Sequence, residues 1–412
     1  MLLGLVVALG PACGHRGEPA RARPRLRLWH TFNPTETEAL NAFLAARGGK
    51  GAVETTLLPF QRGQTILGEV LAGGGDCPDL VRMDATWIPE LARANLLSPA
   101  PADVASARQW LPEASALASD GGVQYGLPQR LDGLALIYRQ ATVKNAGVEW
   151  PPPTMGALLA AARRMTGGGN HGLGVRVDGY WFAAFLRAWG GELLDPATGT
   201  LGIDQPIART SLERFSDFFG PAGIAGPPPP SGDEAQDEFR RFRAGALAVV
   251  VDGPWAVTEL GGGSTDGLGV ATFPPAPNGT PAAPRGAQMF VVPRCARDPA
   301  QAWALALELT APEVQADWAR RFGLVPATRG GLANAGPFVQ SFYRALQVTR
   351  PLPWSPVSAE MFDDLNPAIA AVVAGDATAA EALAGVARAW TRLLERHGVH
   401  APESPADAGV TP

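Results

Sequence analysis

Lysine is almost missing from this 412-residue chain: only Lys50 and Lys144 occur, and arginine supplies the rest of 34 basic residues against 39 acidic ones. A formal charge of −5 offers none of the basic surface that a phosphate backbone demands, so nucleic acid is excluded as an expected partner. Cysteine is scarce as well, with Cys13, Cys77 and Cys295 and no Cys-x-x-Cys pair. The five histidines (His15, His30, His171, His397, His400) are scattered, so a zinc site is disfavoured and neither metal nor cofactor is expected. No Gly-x-Ser-x-Gly, Ser-x-x-Lys or His-Glu-x-x-His motif argues for hydrolysis by those routes.

Long apolar runs are absent too. Leu2 to Leu9 covers about eight residues, well short of the roughly 20 that a membrane-spanning helix needs, and it ends at Gly10-Pro11-Ala12-Cys13. That is the shape of a signal-peptide apolar core, although no basic residue precedes it. The small residues before Cys13 resemble a bacterial lipobox, which predicts a signal peptide over 1–13 and lipidation at Cys13. Residues 14–24, with Arg16, Arg21 and Arg23, read as a tether, and 401–412 as a disordered tail. With Cys13 lipidated, Cys77 and Cys295 are an even pair, which permits one disulfide without demanding it.

What the chain does have is 46% hydrophobic residues in periodic segments, ample for two or three domains' worth of core. Leu26 to Phe32 reads as a strand; Asn33-Pro34-Thr35-Glu36 then caps and opens a helix whose face carries Leu40, Phe43 and Leu44. A strand over Val53–Leu58, a helical stripe of Ile66, Leu67, Val70 and Leu71, and a strand over Leu80–Met83 follow. The alternation resumes after Pro151-Pro152-Pro153, with a helix over Ala157–Met165 and a strand over Leu173–Val177. Next come Phe182, Phe185, Leu186 and Trp189 at helical spacing, another helix marked by Phe215, Phe218 and Phe219, and a buried strand over Leu247–Val251. The pattern predicts α/β architecture with mainly parallel sheets flanked by helices. The last third, ending in a helix over Ala379–Leu394, has too few strands for a sheet of its own and is expected to complete both blocks. A chain that crosses between two blocks more than once has the layout of a hinged molecule with a cleft.

Ligands of such sheets gather beyond the carboxyl ends of strands. Four junctions there are informative: Trp29-His30-Thr31-Phe32-Asn33, Asp84-Ala85-Thr86-Trp87, Asp178-Gly179-Tyr180-Trp181 and Asp252-Gly253-Pro254-Trp255. Pro89 sets a helix start near Thr86, which leaves Asp84 free of capping. Each Asp has a plain alternative as a cap or solvated turn, each Trp or Tyr as core packing, and His30 as a satisfied buried histidine. Yet a carboxylate beside an aromatic recurs three times, and an aromatic face covers the C–H face of a pyranose while a carboxylate accepts from its hydroxyls.

In order along the chain stand Leu28-Trp29-His30-Thr31-Phe32; Pro78-Asp79-Leu80 through Asp84-Ala85-Thr86-Trp87 to Leu96-Leu97; Tyr125-Gly126-Leu127-Pro128 with Asp132 and Leu136-Ile137-Tyr138; Ala188-Trp189-Gly190-Gly191; and Asp252-Gly253-Pro254-Trp255. Together they resemble the carbohydrate-type extracellular solute-binding proteins of ABC importers, the maltodextrin and multiple-sugar binders, over roughly Leu26 to Leu394. The resemblance implies a two-lobed periplasmic-binding-protein-like fold, with 25–132 plus about 287–336 in one lobe and about 133–286 plus about 337–396 in the other. It implies Trp255 as a stacking platform, Asp178 and Tyr180 as an acidic and aromatic sugar-contacting pair, Asp132 at the first hinge crossing and Asp84 among the first-lobe contacts. Either Trp354 or Phe362 matches a second aromatic from the C-terminal segment, and Asn33-Pro34 stands where the maltodextrin binder has an Asp-Lys pair.

The ligand-binding residues so expected are His30, Asn33, Asp84, Asp132, Asp178, Tyr180, Trp181, Trp255 and Trp354. The expected function is a monomeric, non-enzymatic receptor, held to the outer face of the membrane by a lipid anchor, that delivers a sugar to ABC permease subunits by hinge closure. The alternatives are the same fold with a non-sugar solute, or an extracellular glycosidase using two of Asp84, Asp132 and Asp178.

Overall fold

Leu26, Leu28 and His30 point inward from the first strand while Arg27 and Trp29 point away, the two-residue alternation of a sheet with one buried face. The computed structural model describes residues 25–47, 53–195, 199–229, 232–352 and 358–397, so Cys13 and Trp354 lie outside the described residues. Its strands are β1 (Leu26–His30), β2 (Val53–Leu57), β3 (Leu80–Asp84), β4 (Ser119–Asp120), β5 (Val123–Gln124), β6 (Gly126–Gly133) and β7 (Ala135–Arg139). They continue with β8 (His171–Gly174), β9 (Leu247–Asp252), β10 (Leu268–Ala271), β11 (Pro284–Val291), β12 (Val325–Pro326) and β13 (Arg350–Pro351).

Two sheets build two lobes. The first has the order β12-β6-β11-β3-β1-β2, with β13 added to β11, and the second has the order β10-β7-β9-β8; β4 and β5 form a small separate hairpin. The sheets are mixed rather than mainly parallel: β1 is parallel to β2 and β3, β8 to β9 and β13 to β11, while the remaining pairings are antiparallel. The cause is connectivity. Strands that leave one lobe for the other, such as β6, β7 and β11, are not joined by the crossover helix that enforces a parallel neighbour.

The crossings lie side by side. Leu134 N donates to Pro284 O at 3.2 Å and Arg350 N to Ala283 O at 3.1 Å, so the three passages between lobes are stitched together. Gly133 belongs at this point because a Cβ there would stand 2.8 Å from Pro284 O. Away from the crossings the lobes also touch. Thr258 Oγ1 donates to Phe322 O at 3.2 Å, and the turn Pro254–Ala256 reaches β6.

Local chemistry sets the element ends. A capping box opens the helix Pro34–Ala46, with Asn33 Oδ1 accepting from Glu36 N at 2.8 Å, and another opens Ala379–Arg396 at Thr378 and Glu381. The strand predicted over Leu173–Val177 instead runs His171–Gly174, because Val177 N is taken by Glu234 Oε2 at 2.6 Å rather than by a neighbouring strand. Phe182, Phe185, Phe215, Phe218 and Phe273 interlock edge to face in the second lobe, where full burial is worth about 1.5–3 kcal/mol for each ring. In the first lobe Cys77 and Cys295 are joined, with Cα atoms 6.1 Å apart, which resolves the pairing that the sequence left open. Among the described residues no helix is long and apolar enough to cross a membrane.

Candidate functional site

The floor of the site is a row of polar side chains in the middle of an otherwise apolar sheet. Across adjacent strands of the first lobe, Asp84 of β3 stands opposite Gln288 of β11, Gln288 opposite Arg130 of β6, and Gly286 opposite Asp132. Gln288 Nε2 donates to Asp84 Oδ2 at 2.8 Å. Arg130 Nε donates to Asp132 Oδ2 at 3.3 Å, and the Arg130 guanidinium also bonds Glu36. One acceptor in this row, Gln288 Oε1, is buried without a hydrogen-bond partner, while Asp132 Oδ1 is held by charge, 3.1 Å from Arg130 Nε, without a hydrogen bond of its own. Buried acceptors left open cost on the order of 1–3 kcal/mol each, a cost that hydroxyl donors of a ligand would remove.

The roof comes from the second lobe. The helix Gly179–Ala188 touches β11, the turn Pro254–Ala256 touches β6, and the helix Ser358–Ala374 touches the turn Ala85–Trp87. Tyr180 and Trp255 meet there, ring centroids 6.4 Å apart. Burial, reinforced by the carboxylates of Asp132 and Asp84, pushes the Tyr180 phenol well above its ordinary value. That coupling places the aromatic face of one lobe within electrostatic reach of the carboxylates of the other. The arrangement offers flat apolar faces above and hydrogen-bond acceptors below.

The remaining expected residues take other positions. Asp84 is not free of capping: the turn begins at Ala85, and Asp84 Oδ1 accepts from Thr86 N at 2.9 Å and from Thr86 Oγ1 at 2.7 Å. Pro89 falls at the second position of the helix Ile88–Arg93, which follows the turn Ala85–Trp87 rather than starting at Thr86. Burial raises the Asp84 carboxyl above its usual range against those hydrogen bonds. Asp178 likewise caps its helix, Oδ1 accepting from Tyr180 N at 2.7 Å and Oδ2 from Asn366 Nδ2 at 3.2 Å, so it orients Tyr180. Trp181 is buried, and its Nε1 donates to Val251 O at 2.5 Å; it braces Tyr180 and Trp255 from behind. His30 is 1% exposed against Phe32, and burial together with Arg82 lowers its pKa to about 4. Asn33 is engaged with Glu36 in the capping box.

Glu36, Arg130 and Gln288 escaped the sequence reading. The signal was present in Gln129-Arg130-Leu131-Asp132, where three polar residues interrupt a strand that is buried along its whole length. A small cavity of about 20 Å³ lies elsewhere, behind the second-lobe sheet beside Glu238 and Pro227, and an open groove of about 410 Å³ runs along Phe43, Arg108 and Leu307. Neither touches Tyr180 or Trp255, and the polar row with its aromatic roof is the better site on chemical grounds.

Two lobes joined by adjacent crossings, with acceptors on one and aromatic faces on the other, define a ligand-binding receptor of the hinged kind. Residues 33–316 match the family described as bacterial extracellular solute-binding protein, and the chain belongs to that family. Membership sets it outside the cytoplasm. It is 24% identical over 357 residues to the maltotriose-binding protein of Pyrococcus abyssi, covering 83% of this chain and 76% of that one. The GacH receptor of Streptomyces glaucescens, solved unliganded and with acarbose, superposes with a TM-score of 0.80 at 25% identity, over 90% of this chain and 98% of that one. UgpB of Mycobacterium tuberculosis, solved with glycerophosphocholine, has the same fold, with a TM-score of 0.76 at 17% identity, over 91% of this chain and 99% of that one.

Proposed function

We propose that the chain is a carbohydrate receptor that binds a sugar or oligosaccharide between its lobes and delivers it to ABC permease subunits. The observation that carries this reading is the pairing of Tyr180 and Trp255 with the open acceptor Gln288 Oε1 and the buried carboxylate of Asp132. A pyranose has the two faces this pairing needs, C–H groups for the rings and hydroxyls for the acceptors. Maltotriose and acarbose, the ligands of two similar proteins, are of that chemistry. In the proposed mechanism the ligand bridges the lobes and favours their closed arrangement, since only a ligand touching both has differential affinity for closure. The expected bounds, 25–132 and about 287–336 for lobe one and about 133–286 and about 337–396 for lobe two, are kept except that β11 from Pro284 and β13 at Arg350–Pro351 go with the first sheet, to which they pair. The receptor works as a monomer, tethered through lipidated Cys13 and residues 14–24.

The paired-carboxylate alternative is weaker because both Asp84 and Asp178 spend both oxygens on hydrogen bonds of the fold. A non-sugar solute remains the second reading, favoured by the UgpB likeness and by the fit of a quaternary ammonium to aromatic faces near carboxylates. A thermal-shift screen over maltotriose, acarbose, monosaccharides and glycerophosphocholine, with product analysis of each mixture, separates the three. Stabilisation by saccharides without product supports the receptor; stabilisation by glycerophosphocholine alone, or sugar turnover, overturns it.

A further inference from the structure

Behind the aromatic roof lies a buried ion pair. Arg176 Nη2 donates to Asp252 Oδ2 at 2.6 Å, and Asp252 is fully buried. The same guanidinium lies over the Trp181 ring at 4.7 Å and over the Phe239 ring at 5.5 Å, with Nε 3.6 Å from Glu238 Oε1. Asp252 Oδ1 accepts from Gly253 N at 2.8 Å, which fixes the backbone on which the Trp255 ring rests. Trp181 in turn meets Trp255 edge to face, centroids 6.4 Å apart at 84°. The Trp255 ring folds so closely over Gly253 that a Cβ at 253 would stand 2.1 Å from it.

These contacts hold Trp255 from two sides. Trp181 meets its ring and the bare Gly253 backbone its benzo edge; Arg176 stacks on the first and, through Asp252, secures the second. We propose that Arg176 and Asp252 are positioning residues for Trp255, fixing the indole plane before the ligand arrives. Preorganisation of this kind removes the ordering cost that a loose tryptophan would charge to binding. The inference rests on the reading of Trp255 as a ligand platform for its effect on affinity, but not for its effect on the ring itself.

The test therefore starts without ligand. The protein is labelled with 5-fluorotryptophan, and the Trp255 fluorine line is assigned by its loss in Trp255→Phe. Arg176→Met is expected to shift or split that line, Arg176→Lys to restore part of it, and Gly253→Ala, which displaces the ring directly, to show that the line responds. If Arg176→Met fails to fold, Asp252→Asn, which keeps the acceptor shape and removes the charge, is read in the same way. An unmoved Trp255 line in a folded Arg176 or Asp252 variant, with Gly253→Ala moving it, overturns the inference. Titration with maltotriose follows. Arg176→Met is expected to weaken binding by about tenfold at unchanged cooperativity of unfolding, a loss typical of preorganisation defects. If Trp255→Ala leaves maltotriose affinity unchanged, the platform reading fails, while the fluorine line still decides whether Arg176 positions the ring.

Discussion

Gln288 binds Asp84 at 2.8 Å through its amide nitrogen while its amide oxygen is left buried and open. One side chain thus fastens a capping carboxylate and offers a vacant acceptor to the cleft. Gln288→Met removes both at similar volume. Sugar affinity is expected to fall by about 1–2 kcal/mol, while the ligand-free protein loses on the order of 1 kcal/mol, because Asp84 Oδ2 is left without its partner even as the open acceptor of Gln288 is removed. Calorimetric titration and ligand-free melting check the two halves; a large fall in melting temperature with unchanged affinity would make Gln288 purely structural.

Asp178 is expected to act on Tyr180 as a helix cap. Asp178→Ala should cost about 1 kcal/mol of unfolding free energy, whereas Asp178→Asn, an equally good cap, should stay near wild type. Urea unfolding of the three proteins measures this. Equal stability of all three would mean that the Tyr180 amide bond at 2.7 Å contributes nothing.

His30 gives stability a pH dependence of defined sign. Burial and Arg82 hold its folded pKa near 4, against an ordinary value of 6.5, so between those values the unfolded chain binds a proton that the folded chain refuses. Unfolding free energy should therefore fall as pH drops from 6.5 towards 4, by about 1.4 kcal/mol per pH unit at the steepest for this group. The carboxyls raised by burial, Asp84 and Asp178 among them, act in the opposite direction. The difference between wild type and His30→Gln isolates the histidine: the variant should lose less stability over that interval, and parallel curves would refute the shift.

The bond between Cys77 and Cys295 closes a sequence separation of 218 residues. Reduction, or the double change Cys77→Ala and Cys295→Ala, should cost about 2–5 kcal/mol and leave the fold assembled. Thiol labelling of the denatured, unreduced chain lacking residues 1–24 should find no free thiol; finding two would contradict the pairing.

Much of the fold was legible because it rests on local rules. Asn33 caps the helix it was expected to cap, Asp178 takes the capping role that was its plain alternative, and the spacing of Phe182, Phe185, Leu186 and Trp189 announced a helix that the structure runs from Gly179 to Ala188. Sheet direction was not legible, because β6, β7 and β11 take their partners from segments far along the chain and no local pattern encodes that choice. The site was half legible for a similar reason. Tyr180 and Trp255 were read from strand ends and Asp132 from the family resemblance alone, but whether a carboxylate is spent on a cap or left open depends on which residue the fold brings opposite. Asp84 lost its freedom to Thr86 and Gln288, and Gln288 gained its role only by standing between Asp84 and Arg130.

The central claim is that a sugar occupies the space between the polar row and the aromatic roof. A crystal structure with the tightest saccharide from the thermal-shift screen tests it most directly. The account predicts a pyranose ring against Trp255, with hydroxyls within hydrogen-bond distance of Asp132 Oδ1 and Gln288 Oε1 and with both lobes in contact. A saccharide bound instead in the groove along Phe43 and Leu307, with the Trp255 face bare, would contradict it.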